Sequence, residues 1–376
     1  MFDVAVIPYR TMNFAKRFGL TVRDLMMLRA LEDCGSVAMV DWFERPSLFV
    51  ENVISRGSKP QLGSRTTVHS KTAFNPIPPL LKKRMWPVDS LRIHEPSLQR
   101  WVVNGKDTKV LLDFHPLYIP SEDLLRTPGL IYWYDLIDDF QKHNVYTDEQ
   151  QEAVKKKYRF VRNRGAFVTG VSDAAVSSFP SGVTLPNRLL RSAWIGSSVT
   201  EQQKDPPVFD LGFTGFITDK FDIGFVRRVA AMGYKVLIRG KAYHRHVADE
   251  LSTIEGVEVG PEFHASEQAA ILRQFSIGII PYIPERCHEE SPIKLVQYLV
   301  SGRPALLSKS FGSLEQEFQP WVSIYQSQAD GELKKTIEDM LIVTNDPRLK
   351  QAVERSSNIF WDSQIESVLR DAQNRG

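Results

Sequence analysis

The chain has 376 residues, with 47 Lys and Arg against 45 Asp and Glu, and its formal net charge at pH 7 is +2. This length predicts two domains, and the near-zero charge excludes a protein that binds nucleic acid over its whole surface. The two cysteines, Cys34 and Cys287, belong to no C-x-x-C pair and no zinc-spaced cluster. Such cysteine usage predicts a cytoplasmic protein, and no apolar run approaches the length of a membrane-spanning helix.

Apolar runs alternate with helical patterns through the first half of the chain. Val4–Ile7 and Val37–Val40 are predicted strands, and the helix between them opens at Thr21. The polar and basic stretch Tyr9–Arg17 is predicted to be a loop. Strand, helix and strand at this spacing predict a parallel sheet. Further strands are predicted at Lys109–Asp113, Gly129–Asp135 and Ala166–Ser172, and helices at Asp148–Arg164 and from Asp173.

The second half repeats this alternation after a segment rich in Ser, Gln, Lys and Pro at residues 195–208. We place the domain boundary there, which predicts domains at 1–195 and 205–355 and a closing helix within 356–376. Strands are predicted at Val208–Gly215, Lys235–Gly240, Val257–Gly260 and Ile277–Pro281, and helices near Asp222–Met232, Gln268–Gln274, Lys334–Leu341 and Phe360–Leu369.

One segment of the second half, Ser291–Pro304, combines a predicted helix with charged chemistry. Pro292 suits the first turn of this helix, and Gly302 ends it. Lys294 and Gln297 are three residues apart and share one helix face. A helix N-terminus with a lysine beside it is suited to bind a diphosphate.

This segment resembles the donor-binding helix of glycosyltransferases with the GT-B fold. The large retaining families of that fold carry a glutamate eight residues after an acidic loop, but the residue eight positions after Glu289 is Gln297. Lys294 and Gln297 together make the segment similar to the inverting glucuronosyltransferases of bacterial xanthan synthesis and their relatives. The resemblance implies an α/β protein with the GT-B fold. Its two Rossmann-like domains would face each other across a cleft, and its C-terminal helix would cross back to the N-terminal domain.

The resemblance also implies the substrates and the residues that bind them. The C-terminal domain would hold a nucleotide-diphosphate sugar, of the UDP type, and the N-terminal domain a lipid-linked saccharide or polysaccharide acceptor. No metal and no other cofactor would be needed. Several candidates end strands, where open α/β sheets bind their ligands. The candidate donor-binding residues are Gly215, Arg239, Glu262, Tyr282, Ile293, Lys294 and Gln297.

Asp138 and Asp139 directly follow the apolar strand Gly129–Asp135. Inverting transfer needs a carboxylate that takes the proton of the acceptor hydroxyl. Adjacent aspartates point in different directions, so only one of the two would be this base. The residue pattern alone favours turn or cap residues, whereas the resemblance favours the base. Asp135 is a weaker third candidate, and His115 is as well explained by a structural role as by a site role.

Residues 76–87 combine apolar and basic side chains. Lys82, Lys83 and Arg84 stand beside Trp86. This composition predicts either a solvated loop or a patch that binds the edge of a membrane containing anionic lipids. A lipid-linked acceptor would make such a patch useful, and the patch would bring the protein to the inner face of the cell membrane.

Two other interpretations of the sequence stay open. A retaining transferase of the same fold would place Glu289 or Glu290 at the donor, and the stereochemistry of the product distinguishes it from an inverting enzyme. A non-catalytic subunit of a polysaccharide assembly complex would bind the sugar nucleotide without transferring it. Replacement of Asp138 and Asp139 distinguishes that subunit from an enzyme.

Overall fold

The computed structural model describes residues 1–48, 51, 62–73, 85–104, 107–142, 146–192, 206–287, 291–312, 314–326, 328–361 and 364–375, the side chains of residues 73, 86 and 87 excepted. The chain divides into two compact units, one formed by Met1–Pro186 with Trp361–Gly376 and the other by Asn187–Phe360. Most of the boundary predicted at residues 195–208 lies outside the described residues, which resume at 206.

The first unit is built on parallel strands. They are β1 (Phe2–Ile7), β2 (Val37–Phe43), β3 (Ser47–Leu48), β4 (Thr66–His69), β5 (Thr72–Ala73), β6 (Thr108–Asp113), β7 (Leu130–Leu136), β8 (Phe167–Gly170) and β9 (Val183–Thr184). Seven of these strands form one sheet in the order β4-β2-β1-β6-β7-β8-β9, and β3 pairs with β5. In β7 every residue from Ile131 to Leu136 is buried, because helices cover both faces of a parallel sheet.

Helices connect the strands of the first unit. They are α1 (Met12–Phe18), α2 (Arg23–Asp33), α3 (Trp86–Leu91), α4 (Glu95–Val103), α5 (Glu122–Leu125), α6 (Asp148–Arg164) and α7 (Asp173–Val176), with 3-10 turns at Arg92–His94 and Phe140–Lys142. Local sequence determines α6. Thr147 and Gln150 form a capping box at its start, and Gly165 ends it in the left-handed conformation, with φ 67°.

The prediction of a loop at Tyr9–Arg17 is wrong, because α1 occupies much of it. Its seven residues are too few to show a helical period, and polar residues interrupt the apolar ones. A distant residue stabilises its first turn. The N–H of Met12 donates to the buried carboxylate of Glu44 at 2.5 Å, a contact that local sequence does not reveal.

The second unit repeats the alternation of strand and helix. Its strands are β10 (Phe209–Thr214), β11 (Val236–Arg239), β12 (Val257–Gly260), β13 (Phe275–Ile280), β14 (Ala305–Leu307) and β15 (Val322–Ile324). They form a parallel sheet in the order β12-β11-β10-β13-β14-β15. Its helices are α8 (Ile223–Ala231), α9 (Arg245–Leu251), α10 (Gln268–Leu272), α11 (Ile293–Val300), α12 (Leu314–Glu317), α13 (Asp330–Ile342) and α14 (Pro347–Arg355), with 3-10 turns at Ala265–Glu267 and Pro284–Arg286.

The last helix, α15 (Gln364–Arg375), belongs to the first unit and packs against α2 and β7. It begins four residues later than predicted and continues to Arg375. The start of α11 agrees with the prediction, since Pro292 precedes its first residue. Gly302, with φ 72°, lies just beyond its end. The order of elements in both units confirms the predicted α/β class with two Rossmann-like domains.

Candidate functional site

The strand order of the second unit reverses between β10 and β13. The chain proceeds outward from β10 through β11 to β12, and then from β13 through β14 to β15 on the other side. In open α/β sheets such a reversal leaves a crevice at the carboxyl ends of the two strands, where ligands bind. Gly215 directly follows β10, and Tyr282 lies two residues beyond β13. Two predicted site residues therefore lie at the reversal.

Lys294, in the first turn of α11, joins them there. Its Nζ donates to the hydroxyl of Tyr282 at 2.6 Å and lies 4.9 Å from the ring centroid of Tyr282 and 5.6 Å from that of Phe213. A Cβ built on Gly215, whose φ is 145°, would lie 3.1 Å from the Cε of Lys294. The lysine thus lies against the bare backbone of Gly215. It presents a cation at the end of β10, where it would stabilise an anion such as a phosphate.

Tyr298 of α11 fixes the same end of β10. Its hydroxyl accepts the N–H of Thr214 at 3.1 Å. Its ring fills the space that a Cβ on Gly278 would occupy, with Cδ2 only 2.2 Å from that position. Burial raises the pKa of this phenol to about 12, so the hydroxyl stays protonated at neutral pH. The sequence pattern predicts Tyr298 only as part of an apolar helix face.

Arg239 and Glu262 lie at the carboxyl ends of the neighbouring strands. The carbonyl of Arg239 accepts the N–H of Gly215 at 3.0 Å. Its side chain covers Gly260, where a Cβ would lie 2.4 Å from the Cδ of Arg239. Its Nε is buried and has no hydrogen-bond partner in the described part of the chain. Glu262, two residues beyond β12, is half-buried. Arg239 therefore lies one strand away from the reversal, and Glu262 lies two strands away.

The two remaining candidates are on α11. Ile293 is its first residue and is half-buried. Gln297 is buried, and its Nε2 donates to the Oε1 of Gln268 in α10 at 3.4 Å. Lys294 and Gln297 therefore have different polar partners, one at the end of β13 and the other on a neighbouring helix.

The first unit has its own reversal, between β1 and β6. A buried carboxylate holds the loop that follows β1. The Oδ2 of Asp24 accepts the N–H of Tyr9 at 3.1 Å and that of Arg10 at 2.7 Å. Burial raises the pKa of Asp24, and these backbone donors oppose that shift. Across the reversal, the ring of Tyr9 lies edge-on to that of His115, with 6.2 Å between the centroids.

Asp113, the last residue of β6, belongs to a fully buried ion pair. Its Oδ2 lies 2.5 Å from the Nζ of Lys157 and accepts the hydroxyl of Tyr132 at 3.0 Å. Its Oδ1 accepts the N–H of His115 at 2.8 Å. Burial raises the pKa of Asp113 and lowers that of Lys157, whereas their attraction opposes both shifts. The pair therefore fixes the turn that carries His115.

The proton of neutral His115 lies on Nε2. Its Nδ1 accepts the N–H of Leu117 at 3.3 Å and that of Tyr118 at 3.1 Å, so Nδ1 carries no hydrogen. Burial lowers the pKa of His115 to about 3, and the positive charges of Lys157 and Arg45 contribute. At neutral pH the ring is therefore uncharged and offers one donor, Nε2–H.

Asp138 and Asp139 lie two and three residues beyond the end of β7, where a ligand would lie near them. The Oδ1 of Asp138 accepts the N–H of Asp139 at 2.8 Å. Asp139 accepts the N–H of Gln141 at 3.2 Å and lies 3.1 Å from the Nζ of Lys142. Both carboxylates thus bind groups of their own turn, which is the arrangement expected for cap residues.

Asp135 has a structural role. Arg23 Nε and Nη2 each lie 2.7 Å from one of its two oxygens, and the hydroxyl of Thr169 donates to it at 2.5 Å. Arg23 and Asp135 are both buried. Because both oxygens are occupied and the side chain is fully buried, Asp135 is not suited to act as a base.

The predicted membrane patch lies largely outside the described residues, which do not include Lys82, Lys83 and Arg84. Trp86 is the first residue of α3, but its side chain is likewise not described. In the described ranges, no helix is long and apolar enough to cross a membrane. The same ranges contain no group of three or more His, Cys, Asp and Glu side chains that would hold a metal ion.

No family model matches the chain, and no curated protein matches its sequence. Solved structures match over its whole length. AviGT4, a glycosyltransferase involved in avilamycin A biosynthesis, is 13% identical with a TM-score of 0.62, and the match covers 99% of this chain and 97% of that one. The UDP-forming α,α-trehalose-phosphate synthase of Burkholderia xenovorans is 14% identical with a TM-score of 0.61, covering 100% and 99%. LpCGTa, solved in complex with UDP, is 10% identical with a TM-score of 0.53, covering 99% of both.

These likenesses, at such low identity, show the fold. The chain has the α/β GT-B fold of glycosyltransferase structures, with one Rossmann-like domain in each unit. The predicted fold class is therefore confirmed.

Several residues at the two reversals are not predicted as site residues by the sequence pattern. Lys220, whose Nζ lies 4.6 Å from the ring centroid of Tyr282, brings a second cation to that ring. Arg10 and Tyr9 occupy the corresponding loop of the first unit. A usable signal existed, because each of these residues follows the first strand of its unit by only a few positions. Polar residues are frequent in both loops, so their composition does not distinguish site residues from ordinary surface residues.

Proposed function

We propose that the chain is a glycosyltransferase that uses a nucleotide-diphosphate sugar, of the UDP type, as its donor. The observation that carries this proposal is the ammonium of Lys294, held by the hydroxyl of Tyr282 beside Gly215 at the β10–β13 reversal. A fixed cation next to accessible backbone suits the charge that develops on a leaving nucleotide. The solved trehalose-phosphate synthase is UDP-forming and LpCGTa binds UDP, which favours the same nucleotide here.

The finer parts of the proposal rest on the resemblance of the segment Ser291–Pro304. We infer an inverting transfer to a lipid-linked saccharide or a polysaccharide, in which Asp138 or Asp139 removes the proton of the acceptor hydroxyl. Donor contacts from Arg239, Glu262, Ile293 and Gln297 belong to the same proposal. No metal takes part in it.

The donor site is tested by thermal unfolding and calorimetry with UDP, GDP, dTDP and ADP. A ligand that binds the folded state raises its stability by mass action. We expect UDP to stabilise the wild type and to bind Lys294→Met at least about tenfold more weakly, because a charge-assisted contact is lost. Lys235→Met is the matched control, since Lys235 is exposed at the opposite, amino-terminal end of β11. Equal binding of UDP to wild type and Lys294→Met would overturn the site.

The remaining parts have separate tests. The anomeric configuration of the product distinguishes inverting from retaining transfer, in which Glu289 or Glu290 would lie at the donor. Flotation with liposomes, with and without anionic lipid, tests the membrane contact of Lys82, Lys83, Arg84 and Trp86. Binding that does not depend on lipid composition would contradict that contact.

A further inference from the structure

The positive charge of Arg10 opposes the rise in pKa that burial causes at Asp24, but in the described part of the chain its guanidinium forms no ion pair. Its Cζ lies 4.5 Å from the ring centroid of Tyr9 and 5.1 Å from that of Phe14. Its side chain makes no hydrogen bond and no ion pair with any residue of the described ranges. A guanidinium held against two rings has lost much of its rotamer freedom in advance, yet it keeps its donors available. The arrangement suits the recognition of an oxyanion.

The loop that carries Arg10 is fixed from inside the unit. Asp24 is fully buried, and its oxygens accept the N–H groups of Tyr9, Arg10 and Leu25. The carboxylate of Asp24 is thus occupied by backbone donors, and it orients the loop without hydrogen-bonding the guanidinium. Because Asp24 holds two successive N–H groups, the backbone that carries the Arg10 side chain is fixed before a ligand binds.

His115 adds a second donor beside Tyr9. Its ring lies 6.2 Å from that of Tyr9, and its Nε2–H makes no hydrogen bond with a described residue. Burial lowers the pKa of His115, and the positive charges of Lys157 and Arg45 lower it further, so the ring stays a neutral donor at neutral pH. A cation and a neutral donor therefore both lie beside the ring of Tyr9 at the β1–β6 reversal, where a ligand of this unit would bind.

We propose that Tyr9, Arg10 and His115 form a subsite for an acidic sugar, whose carboxylate or phosphate binds the guanidinium of Arg10. The proposal rests on the proposed function, in which this unit holds the acceptor, and it assigns that acceptor to the anionic class. The planar fork of an arginine pairs with the two oxygens of such a group. The Nε2–H of His115 donates to a hydroxyl of the same sugar or to a further oxygen of the acid.

The test compares glucose, glucuronic acid and glucose 6-phosphate as probes of the full chain, with binding followed by NMR titration. We expect the wild type to bind one or both acidic sugars at least about tenfold more tightly than glucose. Arg10→Gln should abolish this preference. Arg100→Gln, which removes an exposed guanidinium on α4, should retain it. The carboxylate and phosphate probes distinguish the two sources of the acidic group.

Two further variants keep the test decisive if Arg10→Gln unfolds. Arg10→Lys keeps the charge without the fork and should retain only part of the preference. His115→Asn keeps an acceptor for the N–H groups of Leu117 and Tyr118 but has no donor at the position of Nε2, so it should weaken the binding of both acidic and neutral sugars. A wild type that binds glucose and the acidic sugars equally, or Arg10 variants that keep the full preference, would overturn the subsite.

UDP binding, measured on the same samples, tells the two proposals apart. If the protein binds UDP but shows no preference for acidic sugars, the subsite proposal is wrong and the donor-site proposal stands. If the protein prefers acidic sugars but does not bind UDP, the proposed function is wrong and the first unit holds an anion site of another kind.

Discussion

The Nζ of Lys294 lies 2.6 Å from the hydroxyl of Tyr282, so one side chain orients the other. Tyr282→Phe keeps the ring but removes the oxygen that fixes the ammonium. We expect UDP to bind this variant about three- to tenfold more weakly, since one hydrogen bond to a charged group is lost. Isothermal calorimetry measures the loss.

Tyr234→Phe is the matched control for this variant. Its hydroxyl donates to the carbonyl of Lys334 at 3.4 Å, far from the carboxyl ends of the strands. The control should bind UDP as the wild type does. If both tyrosine variants lose the same affinity, the hydroxyl of Tyr282 has no specific role in orienting Lys294.

The buried pair of Arg23 and Asp135 should be sensitive to the loss of one partner. Arg23→Met leaves the carboxylate of Asp135 buried, and the hydroxyl of Thr169 is then its one remaining side-chain donor among the described residues. We expect the free energy of unfolding to fall by about 3–5 kcal/mol. The double variant Arg23→Met/Asp135→Leu removes both charges and should recover much of that loss. Urea unfolding measures both values, and a double variant as unstable as the single one would contradict this account.

His115 should make the protein less stable in mild acid. Its pKa is about 3 in the folded chain and 6.5 without the fold, so the unfolded chain takes up a proton that the folded chain does not. The stability from this group is complete above pH 6.5 and falls as the pH drops toward 3. Between pH 7 and pH 5 the loss amounts to about 2 kcal/mol.

His115→Asn isolates this contribution, because asparagine accepts the same backbone N–H groups without titrating in that range. Urea unfolding of both proteins at pH 7 and pH 5 should show a loss about 2 kcal/mol smaller in the variant. Parallel losses in the two proteins would show that other groups cause the acid sensitivity.

Gly240 is required by the close approach of two strand ends. A Cβ at this position, where φ is 151°, would lie 1.7 Å from the carbonyl oxygen of Gly215. We expect Gly240→Ala to displace Gly215 and lower both stability and UDP affinity, by more than the cost of backbone strain alone. Gly233→Ala measures that cost, since its φ is 93° but, apart from its chain neighbours, no described residue lies within 4 Å of the added carbon. It should cost about 1–2 kcal/mol and leave UDP binding unchanged.

Of the two adjacent aspartates, Asp138 is the better candidate for the base in the proposed transfer. It is half-buried, whereas Asp139 is 8% exposed and lies 3.1 Å from the Nζ of Lys142. Asp138→Asn should lower kcat by about 10²- to 10⁴-fold with unchanged UDP affinity. Asp139→Asn, which loosens the turn, should lower it less. Undiminished turnover in both variants would place the base elsewhere.

Local sequence was sufficient for most of the framework. The apolar run that became β7, the capping box of α6 and the glycine after α11 each specify their element through neighbouring residues alone. For the same reason α1 was missed, because its first turn depends on Glu44, 32 residues away. The α/β class followed from the alternation of strands and helices, and the solved structures confirm the GT-B fold.

The amino-acid sequence by itself determined the helices and strands and the residues that follow each strand. Hydrophobic period, caps and turn residues act over only a few positions, so they can be recognised locally. Only the tertiary structure decided which of those residues meet. Strand order brings Tyr282 and Lys294 to the end of β10 and Tyr9 to His115, and it commits Asp135 to Arg23, 112 residues away. Such contacts depend on how the whole sheet is packed, which no local pattern encodes.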